Sequence, residues 1–232
     1  MRDRGMDMRQ NALSITQAWP STLFFSEWSD HAGRAPAIID HLRERAKEFK
    51  QPIASGVATS AKSAEGLIES PLDLFDSTSE PNLMTLIAWF AGCIRAAVSK
   101  VNGNVVPPEK LLVEFCQSWF HITNDGGFHD AHSHGDCSWC GIYYLAAGDP
   151  DTVPRTGSAI AGNGINRFYG PLPSGGIVRD YGNDYLDRGY VDVQPINGRL
   201  VLFPAYLLHS ALPYSGATDR VILSFNSRTV KG

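Results

Sequence analysis

Histidines are concentrated in one short part of this 232-residue chain. Four of the seven fall between His121 and His134, and the densest part reads Phe-His-Asp-Ala-His-Ser-His-Gly-Asp over residues 128–136. Because side chains alternate along a β-strand, residues two apart point to the same side. His132 and His134 therefore share a face, and His134 and Asp136 do so if the strand continues. Either pair suits a divalent cation, since imidazole and carboxylate are both common metal ligands.

A further histidine stands alone much later in the chain. His209 follows the apolar run 200–203, and a lone histidine in such surroundings can simply be a hydrogen-bonded core residue. Arg220 lies eleven positions further on and leads a second apolar run, 221–225. A buried arginine at the start of a core strand needs a fixed anionic partner, because an unpaired buried charge is costly. A dicarboxylate molecule would supply one through two parallel hydrogen bonds.

This order of residues fits one kind of metal chemistry. Iron(II) held by two histidines and one carboxylate keeps three coordination positions open, which is enough for a bidentate 2-oxo acid and dioxygen. The sequence offers an HxH or HxD pair, a long gap, a histidine and then an arginine. It therefore predicts a metal centre near residues 132–136 that His209 completes.

The ordered set of motifs resembles the prokaryotic and phage family of 2OG-Fe(II) oxygenases, which is related in fold to prolyl 4-hydroxylases. The matching segments are residues 118–120, 126–128, 132–135, 140–145, 198–204, 209 and 220–226, with 66–70 and 74–75 upstream. The resemblance implies iron(II) as cofactor and 2-oxoglutarate as co-substrate. It also implies His132 and His209 as metal ligands, Arg220 as the clamp for the distal carboxylate of 2-oxoglutarate, and Tyr144 as a second contact to that carboxylate.

The chain departs from the family pattern directly after the histidine pair. Family members usually read HxHP, whereas Gly135 and Asp136 stand here. Either His134 takes the place of the usual carboxylate, or Asp136 supplies the acid with His134 as its partner histidine. Position in the motif favours His132 with His134, and the preference of iron(II) for a hard oxygen ligand favours Asp136.

The resemblance implies that an unactivated C–H bond of a small polar molecule or a peptide is oxidised with dioxygen, most simply to an alcohol. The connection 146–190 is the candidate substrate lid, because long connections are often functional. Its polar side chains could bind a carboxylate or phosphate, and they are Arg155, Arg167, Tyr169, Arg179 and Tyr181. His121 and His129 are expected to have structural or supporting roles.

Two other readings compete with an oxygenase. His132, His134, Cys137 and Cys140 have the ligand types of a structural zinc site, although their spacing matches no standard finger. A cupin-like metalloprotein that does not use 2-oxoglutarate is the second. The zinc reading leaves both His209 and Arg220 unexplained.

The elements that must position these residues are mainly strands. Periodicity predicts helices over 36–50 and 82–101, and short runs rich in β-branched and aromatic residues predict strands at 111–123, 141–145, 190–193, 199–203 and 220–225. Because no long helices separate the strands, the pattern favours a jelly roll of the double-stranded β-helix type. We expect residues 1–107 to form a helical and extended annex that packs on a catalytic core, 108–232.

The amino-acid composition limits the kinds of partner that this protein is expected to bind. Hydrophobic residues make up 43% of the chain and charged residues 19%, so a sizeable core can form. The net charge of −4 gives no footprint for nucleic acid or a membrane surface. Residues 1–10 lack the apolar stretch of a secretory signal, and Arg95 closes the apolar stretch 83–94. We therefore expect a cytoplasmic protein, and the oligomeric state stays open.

Overall fold

Strands dominate the computed structural model, which describes residues 21–49, 66–149, 162–170 and 189–232. The strands are β1 (Phe24–Glu27), β2 (Leu67–Glu69), β3 (Leu111–Thr123), β4 (Gly127–His132), β5 (Trp139–Ala146), β6 (Asn166–Tyr169), β7 (Tyr190–Val193), β8 (Arg199–Pro204), β9 (His209–Tyr214) and β10 (Arg220–Lys231). They form a six-stranded sheet ordered β1-β8-β5-β10-β3-β2 and a four-stranded sheet ordered β4-β9-β6-β7. The predicted fold class, mainly β with flanking helices in a double-stranded β-helix, is confirmed.

All five predicted strands are present, four of them with bounds within two residues of those expected, whereas β10 continues six residues beyond the predicted end to Lys231. The structure adds β1, β2, β4, β6 and β9, of which β6 lies inside the connection 146–190 that is the candidate substrate lid. Asn166 and Phe168 of β6 are buried, whereas Arg167 and Tyr169 are only partly so. An alternation of only four residues is too short to predict a strand from the sequence.

Three helices accompany the strands, α1 (His31–Ala46, followed by a 3₁₀ turn Lys47–Phe49), α2 (Leu74–Ser77) and α3 (Pro81–Val101). The predicted start of α1 at Pro36 is wrong, because the helix begins five residues earlier, where the Asp30 carbonyl accepts hydrogen bonds from the backbone N–H groups of Gly33 and Arg34. The prediction for α3 is confirmed within one residue. The Glu80 carboxylate accepts a hydrogen bond from the Leu83 N–H and caps its start.

Helix α3 has the length and apolar composition of a bilayer-crossing segment, with a mean hydropathy of 1.4. Its buried side chains nevertheless pack against the large sheet. Phe90 is fully buried, and its ring centroid lies 5.0 Å from that of Phe225 on β10. These contacts are those of a core helix.

Two apolar layers lie on opposite faces of the large sheet. The outer layer joins the helices to the sheet and includes Tyr143. The inner layer lies between the sheets and includes the next residue, Tyr144, as strand alternation requires. Phe203 of β8 bridges the two sheets here, with ring centroids 4.9 Å from Phe168 and 4.6 Å from His209.

The predicted annex contributes to the sheet as well as to the helical layer. Strand β1 pairs with β8, and β2 pairs with β3. A division of the chain between residues 107 and 108 stays a prediction.

Candidate metal centre

Three histidines meet where β4 and β9 pair. His132, the last residue of β4, lies directly opposite His209, the first residue of β9. His134 follows two residues later, where its backbone N–H donates to the Ala205 carbonyl at 3.0 Å. One ring nitrogen from each histidine lies within 4.8 Å of the others. Antiparallel pairing thus brings together residues from two distant parts of the chain.

Two of these rings are held by the backbone carbonyl of the residue two positions earlier in the chain. Nδ1 of His132 lies 2.8 Å from the Asp130 carbonyl oxygen, and Nδ1 of His209 lies 2.9 Å from that of Leu207. A carbonyl can only accept, so each Nδ1 carries the proton and donates it. In this tautomer the lone pair lies on Nε2, which is the state in which imidazole binds a metal.

Burial keeps His209 neutral. Its ring is 4% exposed, and desolvation is the main reason why its pKa falls to about 3, with the neighbouring His132 and His134 adding to the decrease. The hydrogen bond to the Leu207 carbonyl opposes the shift. His209 is therefore ready to bind a cation at neutral and mildly acidic pH.

This shift predicts a pH dependence of stability. The unfolded chain takes up a proton on His209 near pH 6.5, whereas the folded chain does so only near pH 3, so acid favours the unfolded state between these values. We expect the His209 contribution to the free energy of unfolding to fall by about 2 kcal/mol from pH 7 to pH 5. Urea titrations of the metal-free protein should show this loss, and a His209→Gln variant should lack that part of it.

Asp136 is not part of the histidine cluster. Strand β4 ends at His132, and Asp136 adopts a left-handed backbone with φ of 55° and an exposed side chain. Its carbonyl oxygen accepts a hydrogen bond of 2.7 Å from Nε of Arg228. The two-residue spacing would have aligned Asp136 with His134 only if the strand had continued. Of the two pairs left open by the sequence, His132 with His134 lies beside His209.

Arg220 begins β10 and is 2% exposed. It donates to the Gly164 carbonyl through Nη1 and to Asn166 Oδ1 through Nη2, the latter at 2.7 Å, while its Nε is buried without a partner among the described residues. No carboxylate within that part of the chain pairs with it. Burial lowers its pKa. The guanidinium therefore has neutral partners and one nitrogen, Nε, without a partner among the described residues, as an anion-binding arginine requires.

Tyr144 lies next to this arginine, and Asn166 links the two. The Tyr144 hydroxyl donates to Asn166 Oδ1 at 2.8 Å, and Cζ of Arg220 lies 5.6 Å from the centre of the Tyr144 ring. Burial raises the pKa of Tyr144 to about 12, so the hydroxyl remains a donor. Sequence reasoning missed Asn166, because its contacts join residues far apart in the chain and no local motif marks it.

A small cavity of about 30 Å³ lies beside the histidine cluster and reaches Asn166. The three clustered histidines and Asn166 both line it, so the histidines and the arginine-bound amide face one space. Apolar side chains from β5, β8 and β10 complete the wall, namely Ile142, Phe203 and Ile222.

The other two histidines of the histidine-rich segment flank the cluster. The His129 ring stacks on His132 with centroids 3.9 Å apart. His121 is buried, and its Nε2 lies 2.7 Å from a carboxylate oxygen of Glu69 on β2. These contacts fit the supporting roles predicted for both residues.

The cysteine pair lies outside the cluster of possible metal ligands, although Cys140 lines the same cavity. Cys137 and Cys140 are free thiols with sulfur atoms 3.8 Å from each other, and neither belongs to the cluster of possible metal ligands found among the described residues. A structural zinc site of the HxH and CxxC pairs therefore gains no support.

We expect a Cys137→Ser/Cys140→Ser double variant to keep its fold and its metal affinity within about twofold, because the thiols contact each other and not the clustered nitrogens. Circular dichroism and calorimetric titration with cobalt(II) would measure both. Loss of fold together with metal would favour the zinc reading.

Part of the predicted lid lies in strand β6. Arg167 forms a two-pronged ion pair with Asp192, at 2.7 and 2.9 Å, and stacks over the Tyr190 ring at 3.8 Å. The Tyr169 hydroxyl contacts Ser210 Oγ at 3.0 Å. Arg155, Arg179 and Tyr181 lie outside the described residues.

Comparison with known proteins gives a family and a fold. Residues 117–226 match the family described as "Putative 2OG-Fe(II) oxygenase". Comparison with curated proteins finds no match. The sequence resemblance noted above is confirmed by the family match, which contains the whole set of clustered histidines and Arg220.

Solved structures of similar fold include a prolyl-4-hydroxylase from Pseudomonas putida, with a TM-score of 0.52 and 17% identity over 88% of this chain and 92% of that one. The viral collagen prolyl hydroxylase of Paramecium Bursaria Chlorella virus-1, solved with 2OG, has a TM-score of 0.51 and 12% identity over 90% and 96%. The alpha ketoglutarate dependent epimerase SnoN of nogalamycin biosynthesis has a TM-score of 0.55 and 13% identity over 91% and 79%. At these identities the likeness concerns the fold.

Proposed function

We propose that this chain, whose residues 117–226 match the 2OG-Fe(II) oxygenase family, oxidises an unactivated C–H bond with iron(II) bound by His132, His134 and His209. The observation that carries the proposal is the shared cavity, with three converging imidazoles on one wall and the asparagine that holds a buried arginine on another. When bound, iron(II) and 2-oxoglutarate activate dioxygen and release succinate and carbon dioxide.

The chain's own residues have separate tasks in this proposal. The three histidines offer neutral nitrogen ligands, and Arg220 binds the distal carboxylate of 2-oxoglutarate with the Nε–H that has no partner in the described part of the chain. The Tyr144 hydroxyl is a second donor beside it. Ile142, Phe203 and Ile222 keep bulk water away from the ligands, which strengthens each charged contact.

The substrate is proposed to be a small polar molecule or a peptide, and hydroxylation the outcome. Two of the structures of similar fold are prolyl hydroxylases, one of them named for collagen. The partly buried Arg167 and Tyr169 of β6 and the exposed Tyr190 of β7 are candidates for its polar contacts. A cytoplasmic location, with no nucleic-acid or membrane partner, is part of the same proposal.

Anaerobic titration tests the proposal directly. Iron(II) and 2-oxoglutarate added together should give the visible charge-transfer band of an iron(II)–2-oxo acid complex and raise the melting temperature more than either alone. Admission of oxygen should then yield succinate, and mass spectrometry of amino acids and peptides should find a product with one added oxygen atom. Metal binding without any response to 2-oxoglutarate would favour the cupin-like reading instead.

A further inference from the structure

His134 differs from the other two histidines of the cluster in what faces its Nδ1. His132 and His209 each face a backbone carbonyl, which fixes the proton on Nδ1. Nδ1 of His134 lies 3.3 Å from the side-chain amide nitrogen of Asn226 on β10. A primary amide presents a donor at one end and an acceptor at the other, so it can serve either form of the imidazole.

Asn226 is held in place from its other side. Its side chain is 2% exposed, and its backbone pairs with Gln117 of β3. Nδ2 of Asn226 lies 2.9 Å from Oε1 of Gln117, whereas Oδ1 of Asn226 is buried without a partner among the described residues. A bulge in the β10–β3 ladder follows directly after this position. The amide therefore sits in a fixed place, and rotation of its end group is its remaining freedom.

The orientation of this amide determines which nitrogen of His134 can bind a cation. With Nδ2 toward His134, the amide donates to Nδ1, the imidazole proton lies on Nε2, and that nitrogen has no lone pair to offer. A half-turn brings Oδ1 to the same place, where it accepts the Nδ1–H and leaves the Nε2 lone pair for the metal. Gln117 can follow with a half-turn of its own, because its amide then donates to Oδ1.

We propose that the Gln117–Asn226 amide pair is a positioning device that selects the imidazole tautomer of His134 and thereby sets the metal affinity of the cluster. His132 and His209 are constant ligands, and His134 is the adjustable one. The inference rests on the proposed function only in that the three histidines bind the metal. It adds two residues that do not touch the metal but act through His134, as hydrogen-bonding partners of metal-bound histidines commonly do.

Nearly isosteric substitutions separate this role from simple packing. In Asn226→Asp both oxygens accept, so Nδ1 of His134 must carry the proton and the metal-binding tautomer is fixed. In Gln117→Glu the carboxylate keeps the Asn226 amide nitrogen turned toward itself and toward His134, which holds the wrong tautomer. Both variants add one negative charge on the same side of the cluster, so electrostatic attraction alone would tighten metal binding in both. Asn226→Leu removes the amide altogether.

Calorimetric titration with cobalt(II) and nitrogen-15 spectra of histidine-labelled protein measure the two consequences. We expect cobalt(II) affinity in Asn226→Asp to equal or exceed that of the wild type, and affinity in Gln117→Glu and Asn226→Leu to be roughly 10-fold or more lower. The spectra of the metal-free protein should report the Nδ1–H tautomer of His134 in Asn226→Asp and the Nε2–H tautomer in Gln117→Glu. Melting temperatures would identify a variant that fails to fold.

The experiment distinguishes failure of the metal centre from failure of the proposed role of the amide pair. If the wild type does not bind cobalt(II), the proposed metal centre falls. If the wild type binds but Asn226→Asp and Asn226→Leu share one affinity, or both charged variants tighten binding equally, the metal centre stands and the role of the amide pair is wrong.

Discussion

Replacement of His209 by glutamine is expected to lower metal affinity by at least about 100-fold, the upper end of what loss of an outer hydrogen-bonding partner costs. His209 is buried at the start of β9 and held there by its register with His132, so its replacement removes one of the three nitrogens of the cluster. Glutamine has a similar volume and can still donate to the Leu207 carbonyl, which leaves the local backbone supported.

Cobalt(II) titration and succinate formation would measure this loss, and both should disappear together. His31→Gln is the matched control, because His31 hydrogen-bonds the Tyr143 hydroxyl at 2.7 Å on the outer side of the large sheet and takes no part in the cluster. At neutral pH the melting temperature of metal-free His209→Gln should be close to that of the wild type. A variant that still binds metal with unchanged affinity would remove His209 from the site.

Replacement of Arg220 by leucine should raise the dissociation constant for 2-oxoglutarate by roughly 100-fold or more, since truncating one member of a buried charged pair costs about 2–5 kcal/mol. Arg220→Lys keeps the charge but loses the planar fork, and we expect it to bind 2-oxoglutarate with intermediate affinity. Metal affinity should change little in either variant, because Arg220 lies outside the histidine cluster.

The melting temperature gives an independent test of the Arg220→Leu variant. A buried arginine with neutral partners is costly, so leucine should leave the ligand-free melting temperature unchanged or higher while the increase caused by 2-oxoglutarate is lost. Arg34→Leu is the control, because Arg34 lies on α1, is ion-paired with Asp30 and should leave 2-oxoglutarate affinity unchanged. An undiminished response to 2-oxoglutarate in Arg220→Leu would contradict the proposed clamp.

The parts of the fold that were predictable are those with strong local patterns. The strand that starts at Arg220 and the helix that ends at Val101 show uninterrupted apolar periodicity, and both lie close to where the sequence indicates. Strands β4 and β9 escaped prediction because histidines replace their apolar positions and their pairing is irregular, with two register shifts between Gly127 and His132.

The site was predictable only in part, for a related reason. The sequence alone indicated chemistry for the residues whose type suggests it, namely His132, His134, His209 and Arg220. For Asp136 the two-residue spacing gave the wrong position, because the alternation of side chains holds only along a strand and β4 ends at His132. Asn166 and Asn226 act through contacts with residues 54 and 92 positions away, and only the folded chain reveals them.

Phe203 of β8 lines the cavity and packs its ring against His209 and Phe168 of the facing sheet. The room beside the three imidazoles is therefore limited by an apolar side chain that offers no ligand atom. Replacement of Phe203 by leucine would enlarge this room while every polar group of the site keeps its place. Under the proposed function, such a variant should bind the homologue of 2-oxoglutarate with one more methylene better, relative to 2-oxoglutarate itself, than the wild type does, and competition between the two acids would measure the change.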